Sequence, residues 1–496
     1  FLDSYKIMPN KLDTIGKKVI SIDEKFHKLS DTYDYDAIRP KGHKLTELER
    51  MYLYNDVYIL KEFFRQFYNP IGTKQTTASS IAFEKFLIGK YGEDKPYKQF
   101  LEDYPDLYPY RNIISIIKQS YTGGWTQVNR FFKGKHLKNI NGTSIDINSS
   151  YPSVVKNKPL PYGEPTLYQG YHKCKPNELS ILVIEFDKFY NKHSNNEIGV
   201  IQCGFNNTEV FNRNGTEYIS TNIINGQAKG TNGKSIDHRY RLYLWEFELE
   251  NILEQTVFEN YKVIETLTFK SNVGNFAEVV DEYTEKKIQG KKDGNNTLTN
   301  FAKLVLNSFY GKLASNPKRE ERRIELVKGL CKNISTNIVY DADKKYYPAF
   351  ASAVTAWARC NLRTTLYKLS INEQGDYENH VMYFDTDSLY TNLPVEIVKE
   401  KMADMLDPYE LGKWDIEKTY TEFKAIASKK YIVKTHDGKL TCKCAGLPED
   451  VRKDQTFDSF YMGATFSGKK VKTKVPGGYV LLEGDYKLKD NLFGGF

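Results

Sequence analysis

Three stretches of the sequence hold side chains whose types and spacing could do chemistry together. In VMYFDTDSLYTNL, residues 381–393, two apolar, β-prone runs flank Asp385-Thr386-Asp387, as in a hairpin with carboxylates at its turn. Carboxylates so close repel and raise each other's pKa unless a cation sits between them, so a metal site resolves the pattern. In SIDINSSYPSVV, residues 144–155, Ile145 and Ile147 alternate with Ser144, Asp146 and Asn148. A strand here buries the isoleucines, presents Asp146 on the opposite face and stops at Pro152. In TLTNFAKLVLNSFYGK, residues 297–312, Leu298, Phe301, Ala302, Val305 and Phe309 fall on one side of a helix, and Lys303, Asn307 and Tyr310 on the other. Lys meets a triphosphate as a point charge, Tyr offers a flat face to a base or sugar, and Gly311 lets the helix end or lets a substrate approach closely. Taken singly, each stretch has a plainer reading: an acidic turn, a solvated Asp at a strand end, the wet face of an amphipathic helix.

The elements that must position these groups are partly legible. Residues 45–67 lack Gly and Pro and carry apolar residues at mostly helical spacing, which predicts a long helix ending near Asn69-Pro70. The Gly pair in Tyr121-Thr122-Gly123-Gly124-Trp125 predicts a tight loop, with a unit boundary between about 76 and 121. Residues 191–235, rich in Asn and Gly, read as an insertion of short strands and loops. From Pro317 to Tyr347 the sequence opens with PKREERR and alternates, as a basic projecting hairpin would.

At 496 residues with 40% hydrophobic composition, two to four compact units are expected. No stretch has the length and apolarity of a membrane span and the start lacks the pattern of a signal peptide, so the expectation is a soluble protein of a cytoplasm, the host's if the source is viral. Six cysteines in this length read as reduced thiols. The net charge of +8 suits a polyanionic partner, and 37 tyrosines could stack on bases; neither decides the matter.

Order and company lift the three motifs above their plainer readings. Asp146-x-x-Ser-x-Tyr-Pro-Ser resembles motif A of the family B DNA polymerases, Lys303-x-x-x-Asn-Ser-x-Tyr-Gly resembles motif B, and Tyr383-x-Asp-Thr-Asp-Ser resembles motif C, in that family's order. Tyr121-Thr-Gly-Gly124, Lys429-Lys-Tyr431, LPYGEP, GKLASNP, TAWAR, KCAG and VPGG are similar to segments of its protein-primed, phi-twenty-nine-type branch. Position 150 is Ser where that branch usually has Leu.

The resemblance implies an α+β right-hand polymerase (palm, fingers, thumb) with two terminal-protein-region insertions and a partial RNase H-like exonuclease domain. It implies an exonuclease remnant over 1–76, palm over 77–156 and 349–444, insertions over 157–278 and 317–348, fingers over 279–316 and thumb over 445–496. The implied function is template-dependent, two-metal transfer of nucleotides from dNTPs to a primer 3′-hydroxyl or a protein hydroxyl, in protein-primed replication of a phage or similar linear replicon, with strand displacement. The metal is Mg2+, two ions, replaceable by Mn2+. Asp146 and Asp387 would bridge the metals with Asp385 assisting and the Ile147 carbonyl completing the shell. Tyr151 would exclude a 2′-hydroxyl, Lys303, Asn307, Tyr310 and Lys291 would serve the incoming nucleotide, and Tyr121, Gly123, Gly124, Lys429 and Tyr431 the DNA. The basic run 469–474 reads as phosphate-tracking thumb or as a solvated charge run. Partners are primer-template DNA, dNTPs and a terminal protein acting as primer; the chain is expected to be a monomer and to need no membrane.

Of the branch's three exonuclease motifs, Tyr52-x-x-x-Asp56 is the one recognisable here, and Lys28 is similar to a lysine of that site. The chain opens at Phe1 inside that domain, so the chain as given is expected not to proofread. A glycosyltransferase would explain Asp385-x-Asp387 but not the Lys303 stripe, and a non-catalytic DNA- or terminal-protein-binding module would not need these carboxylates. A cellular RNA-primed polymerase lacks the two insertions, and a reverse transcriptase uses Asp-Asp in place of Asp-Thr-Asp.

Overall fold

The structure, a computed structural model, describes residues 3–29, 32–34, 37–186, 188–199, 208–212, 215–218, 239–327, 330–340, 346–447, 449–475 and 478–488. The chain divides into two compact units, one of residues 1–106, 155–157 and 273–347, the other of residues 107–154, 158–272 and 348–496.

The larger unit is built on a seven-stranded antiparallel sheet in the order Thr126–Val128, Val381–Asp385, Ser388–Thr391, Gly142–Ile147, Trp414–Ala427, Lys430–Thr435, Leu440–Cys444. The apolar runs around Asp385-Thr386-Asp387 form the expected hairpin at its centre, with Thr386 in the left-handed region at φ 62°. One face of the sheet packs Ile145, Ile147, Val381, Phe384 and Leu389 against Leu362, Leu366 and Leu369 of the Pro348–Ser370 helix. The spacing of those leucines puts them on one stripe, and each fully buried leucine stabilises the fold by about 1.5–3 kcal/mol. The opposite face is closed by Val128, Tyr383, Tyr390, Tyr420, Phe423 and Val433. With both faces covered, Val381–Phe384 is buried without alternation. Pro152 does not simply end a strand: the ladder stops at Ile147, Ser149 turns at φ 52°, and Pro152 sits in the first turn of the Ser150–Asn157 helix, where a missing N–H costs nothing.

A six-stranded sheet occupies much of residues 159–273, in the order Pro159–Gln169, Lys262–Val273, Glu178–Phe186, Arg239–Trp245, Thr208–Asn212, Gly215–Tyr218. Much of the Asn- and Gly-rich stretch, 200–207 and 219–238, lies outside the described residues. A hairpin of Thr465–Val475 and Gly478–Lys487 carries the lysine run 469–474, whose side chains are likewise outside the described ones.

In the smaller unit the Glu47–Phe63 helix opens on a capping box in which Thr46 and Glu49 satisfy each other's backbone N–H groups. It widens into a π-helical turn over Phe64–Tyr68, tightens to a 3-10 turn over Asn69–Ile71 and ends at Gly72. The Asn296–Lys312 helix, whose Asn295 side chain accepts from the Leu298 N–H, packs Phe309 flat on Phe86 of the Ala78–Tyr91 helix at 3.9 Å between ring centroids. Lys318–Val327 and Leu330–Tyr340 form an antiparallel hairpin. Among the described residues no helix is long and apolar enough to cross a membrane, and Cys174, Cys360, Cys442 and Cys444 are free.

Gly142 lets the strand of Asp146 pass over Tyr420: a Cβ there would lie 2.2 Å from the ring, which is fully buried and donates its hydroxyl to the Thr391 carbonyl at 2.7 Å. Gly142→Ala is expected to destabilise the chain by about 1–3 kcal/mol, read as a lower melting temperature, whereas an unchanged melting temperature would mean that the ring yields.

Candidate active site

Asp146 is the half-buried residue near the end of an otherwise buried strand, paired across the sheet with Ser388 on one side and Asp415 on the other. The Ile147 N–H donates to the Asp387 carbonyl at 2.8 Å, which fixes Asp387 beside Asp146. Burial, then Asp387, Glu417 and Asp415, push the Asp146 carboxyl up to about 7, with Lys418 acting the other way. Burial and Asp385 raise Asp387 too. Among the described residues no group of three or more His, Cys, Asp or Glu side chains could hold a metal ion alone. A hard cation would therefore be shared by two carboxylates, a backbone carbonyl such as that of Ile147 and the oxygens of a substrate, a donor set that suits an ion such as magnesium. The strained Asp146 carboxyl is what such an ion would relieve.

Asp385 has a different surrounding. Its carboxylate accepts from Lys429 Nζ at 2.9 Å on each oxygen, from Thr126 Oγ1 at 2.7 Å, and at 3.3 Å from the hydroxyls of Tyr383 and Thr386. Lys429, at φ 59° in the turn after the Trp414–Ala427 strand, also donates its backbone N–H to the Tyr383 hydroxyl at 3.0 Å. Tyr431 packs among Tyr383, Tyr390 and Phe423 and shares a 3.0 Å hydrogen bond with the Tyr390 hydroxyl.

The Tyr121–Trp125 loop lies on the same hairpin. Trp125 accepts the Thr386 N–H at 2.8 Å, and a Cβ on Gly124 would fall 2.3 Å from Thr386 Oγ1. Tyr121 is half-buried and Gly123 exposed. Arg359 donates to the Thr122 and Gly123 carbonyls at 2.5 and 3.1 Å, and Tyr151 acts on it electrostatically. Sequence reasoning missed Thr126, Arg359, Asp415 and Glu417. The alternation Asp415-Ile416-Glu417 in a strand could have revealed the last two, and Arg359 ends the TAWAR segment.

In the smaller unit Lys303 and Asn307 are exposed on one face of their helix with Tyr310 half-buried, while Ala302, Val305 and Phe309 are buried opposite. A third lysine joins Lys303 and Lys291: Lys287, one turn before Lys291 on the Ala277–Lys292 helix, has its pKa lowered by burial and by those two charges. The i, i+4 spacing was its signal, obscured by Lys286 and Lys292 on either side. Lys28 Nζ donates to the Tyr52 hydroxyl at 2.9 Å and to both Asp56 oxygens at 2.9 and 2.8 Å, so the three form one cluster.

The family model for DNA polymerase type B, organellar and viral, matches residues 1–365. The DNA polymerase of Bacillus phage B103 is 30% identical over 511 residues, covering 98% of this chain and 80% of that protein. The DNA polymerase of Bacillus phage phi29 is 29% identical over 516 residues, covering 98% and 79%. The solved structure of phi29 DNA polymerase complexed with primer-template DNA, a post-translocation binary complex, superposes with a TM-score of 0.77 at 26% identity, again over 98% of this chain and 79% of the other.

Two outcomes follow from the geometry. Because the Asp146 carboxyl is raised, the folded chain holds a proton that the unfolded chain has released between the ordinary carboxylate pKa and about 7, so metal-free stability falls as pH rises through that window. In EDTA the melting temperature is expected to drop more between about pH 5 and pH 7.5 for the parent than for Asp146→Asn, and added Mn2+ should recover it in the parent alone; parallel curves would refute this. Gly124→Ala is expected to displace the Thr386 turn and cut polymerisation by about 10-fold or more, measured as kcat on a primed template against an unchanged melting temperature.

Proposed function

From the premise that the chain belongs to the organellar and viral type B DNA polymerases, we propose an assignment of its residues to the steps of nucleotide addition. The chain is a DNA-directed DNA polymerase of the phage-replication kind, and its family implies dependence on a divalent metal. The observation that carries the residue assignment is the pair Asp146 and Asp387, the one on its strand and the other in the turn that enters the adjacent strand, with both carboxyls raised.

Asp146, Asp387 and the Ile147 carbonyl would hold two Mg2+ ions, for which Mn2+ could substitute. When bound, such ions activate the attacking 3′-hydroxyl and steady the leaving pyrophosphate. The remaining work belongs to the chain. Lys303 and Lys287, with Lys291, neutralise the incoming triphosphate. Tyr310 and Asn307 meet the nascent base pair, and Tyr151 fills the space a 2′-hydroxyl would need, so deoxynucleotides are chosen by steric clash. Asp385 is a positioning residue that aims the Lys429 ammonium at the primer backbone from the mouth of the site. Tyr431 supports it from the aromatic core, and the Tyr121, Gly123 and Gly124 loop follows the DNA beside it. Lys28, Tyr52 and Asp56 are the part of a 3′–5′ exonuclease site that this sequence carries.

Primer-template DNA and dNTPs are the substrates. Residues 157–278 and 317–348 receive a terminal protein whose hydroxyl primes synthesis, and they support strand displacement. In the neighbouring structures phi29 DNA polymerase is complexed with primer-template DNA and with incoming nucleotide substrates. With magnesium, the parent is expected to extend a primed single strand with dNTPs and not with rNTPs. Asp387→Ala should abolish extension, Tyr151→Val should admit rNTPs, and Lys287→Ala should raise the KM for dNTP by about 10–100-fold, the loss of a hydrogen bond to a charged group. Extension by folded Asp387→Ala would overturn the metal assignment.

A further inference from the structure

The Glu246–Leu253 helix lies within residues 157–278, which the sequence reads as an insertion, yet its first turns reach the Tyr121–Trp125 loop through the Pro348–Ser370 helix. Trp245 Nε1 donates to Ser352 Oγ at 3.0 Å, and Ser352 Oγ shares a 3.0 Å hydrogen bond with Ser120 Oγ. Glu248 grips Arg359 with both oxygens, Oε1 to Nε at 2.7 Å and Oε2 to Nη2 at 2.9 Å, and the remaining Nη1 holds the Thr122 and Gly123 carbonyls. Asn251 Oδ1 accepts from Arg363 Nη1 at 2.9 Å, and that guanidinium lies 5.2 Å from the Trp125 ring centroid.

The three groups recur every third residue, 245, 248 and 251, as neighbours along a helix do: Glu248 and Asn251 each accept from an arginine that meets the loop, and Trp245 reaches Ser120, the residue just before it, through Ser352. Glu248 and Arg359 are 2% and 4% exposed, so their bidentate pair is dry and directional. The loop in turn holds the catalytic hairpin, through the Trp125 carbonyl on the Thr386 N–H and the Gly124 contact.

We propose that Glu248 is a positioning residue for polymerisation: through Arg359 it sets the Tyr121–Trp125 loop against the Asp385-Thr386-Asp387 turn, so that residues 157–278 contribute a structural member of the catalytic core. The consequence for DNA binding rests on the reading that this loop follows DNA; the strut itself does not.

The test uses the full chain and two variants. Glu248→Gln keeps the shape and removes the charge; because it leaves Arg359 buried without a counter-charge, Glu248→Leu combined with Arg359→Met removes both and preserves folding. Amide hydrogen exchange without DNA is expected to quicken about 10-fold or more at residues 121–126 and at Thr386 and to stay unchanged over 143–147. The primer-template Kd should rise about 10-fold while the KM for dNTP holds within about 2-fold, a split that mere loss of folded protein would not produce. Tyr121→Ala serves as the control for the DNA reading. Parental loop exchange in the folded variants overturns the strut. A weakened Tyr121→Ala beside variants with parental Kd overturns the positioning role. If Tyr121→Ala binds DNA as the parent does, the DNA reading of the loop fails and the exchange result still decides the strut.

Discussion

The burial of Asp146 and Asp387 among other carboxylates is the constraint around which the larger unit is arranged. Like charges crowded in a half-buried site separate where they can and otherwise take up protons. Here separation is forbidden twice. Asp146 is fixed by ladders to Ser388 and Asp415 on either side, and Asp387 by its own carbonyl, which accepts the Ile147 N–H. The sheet beneath is covered on both faces, by the leucine stripe of the Pro348–Ser370 helix and by a tyrosine-rich layer, so neither strand can slip to relax the charges. The site is preorganised for a cation by the same packing that makes it uncomfortable without one.

That arrangement gives two aspartates two residues apart different employment. Asp387 faces Asp146 and keeps a raised carboxyl, whereas Asp385 is taken up by Lys429, Thr126, Tyr383 and Thr386. A hairpin turn with a left-handed Thr386 between them makes this possible, because it sends the flanking side chains in different directions. Asp385 thereby fixes the Lys429 ammonium, and Asp387 is left to the ligation proposed for it.

The Asp385-Thr386-Asp387 hairpin and the Lys303 stripe were legible because each rests on a local period: apolar runs on both sides of a turn in one case, about 100° per residue in the other. Local sequence also gave the Glu47–Phe63 helix, whose capping box and closing Gly72 are chemical signals at its two ends. It misjudged Pro152, since a proline reads equally as a strand stop or as a first-turn helix residue, and the choice lay with the left-handed Ser149 before it. Arg359 and Glu248 were illegible for a stronger reason. In EFELE and TAWAR a charge looks the same whether wet or buried, and only a partner 111 residues away makes burial tolerable.

The buried charges of the Pro348–Ser370 helix are poorly explained by stability. Arg359 and Arg363 are both nearly inaccessible, and desolvating a guanidinium is costly enough that a well-packed apolar pair of similar volume would serve the fold at least as well. What an apolar pair cannot do is fix direction. A leucine stripe tolerates sliding by a fraction of a turn, whereas a guanidinium that satisfies two carboxylate oxygens and two carbonyls has one acceptable position. The helix therefore divides its labour by face. Leu362, Leu366 and Leu369 supply cohesion against the sheet, and Ser352, Arg359 and Arg363 supply registration against the loop that rests on Thr386. In a site where repulsion between carboxylates must be held without relief, registration is the scarcer property, and the helix places its polar atoms where it is needed.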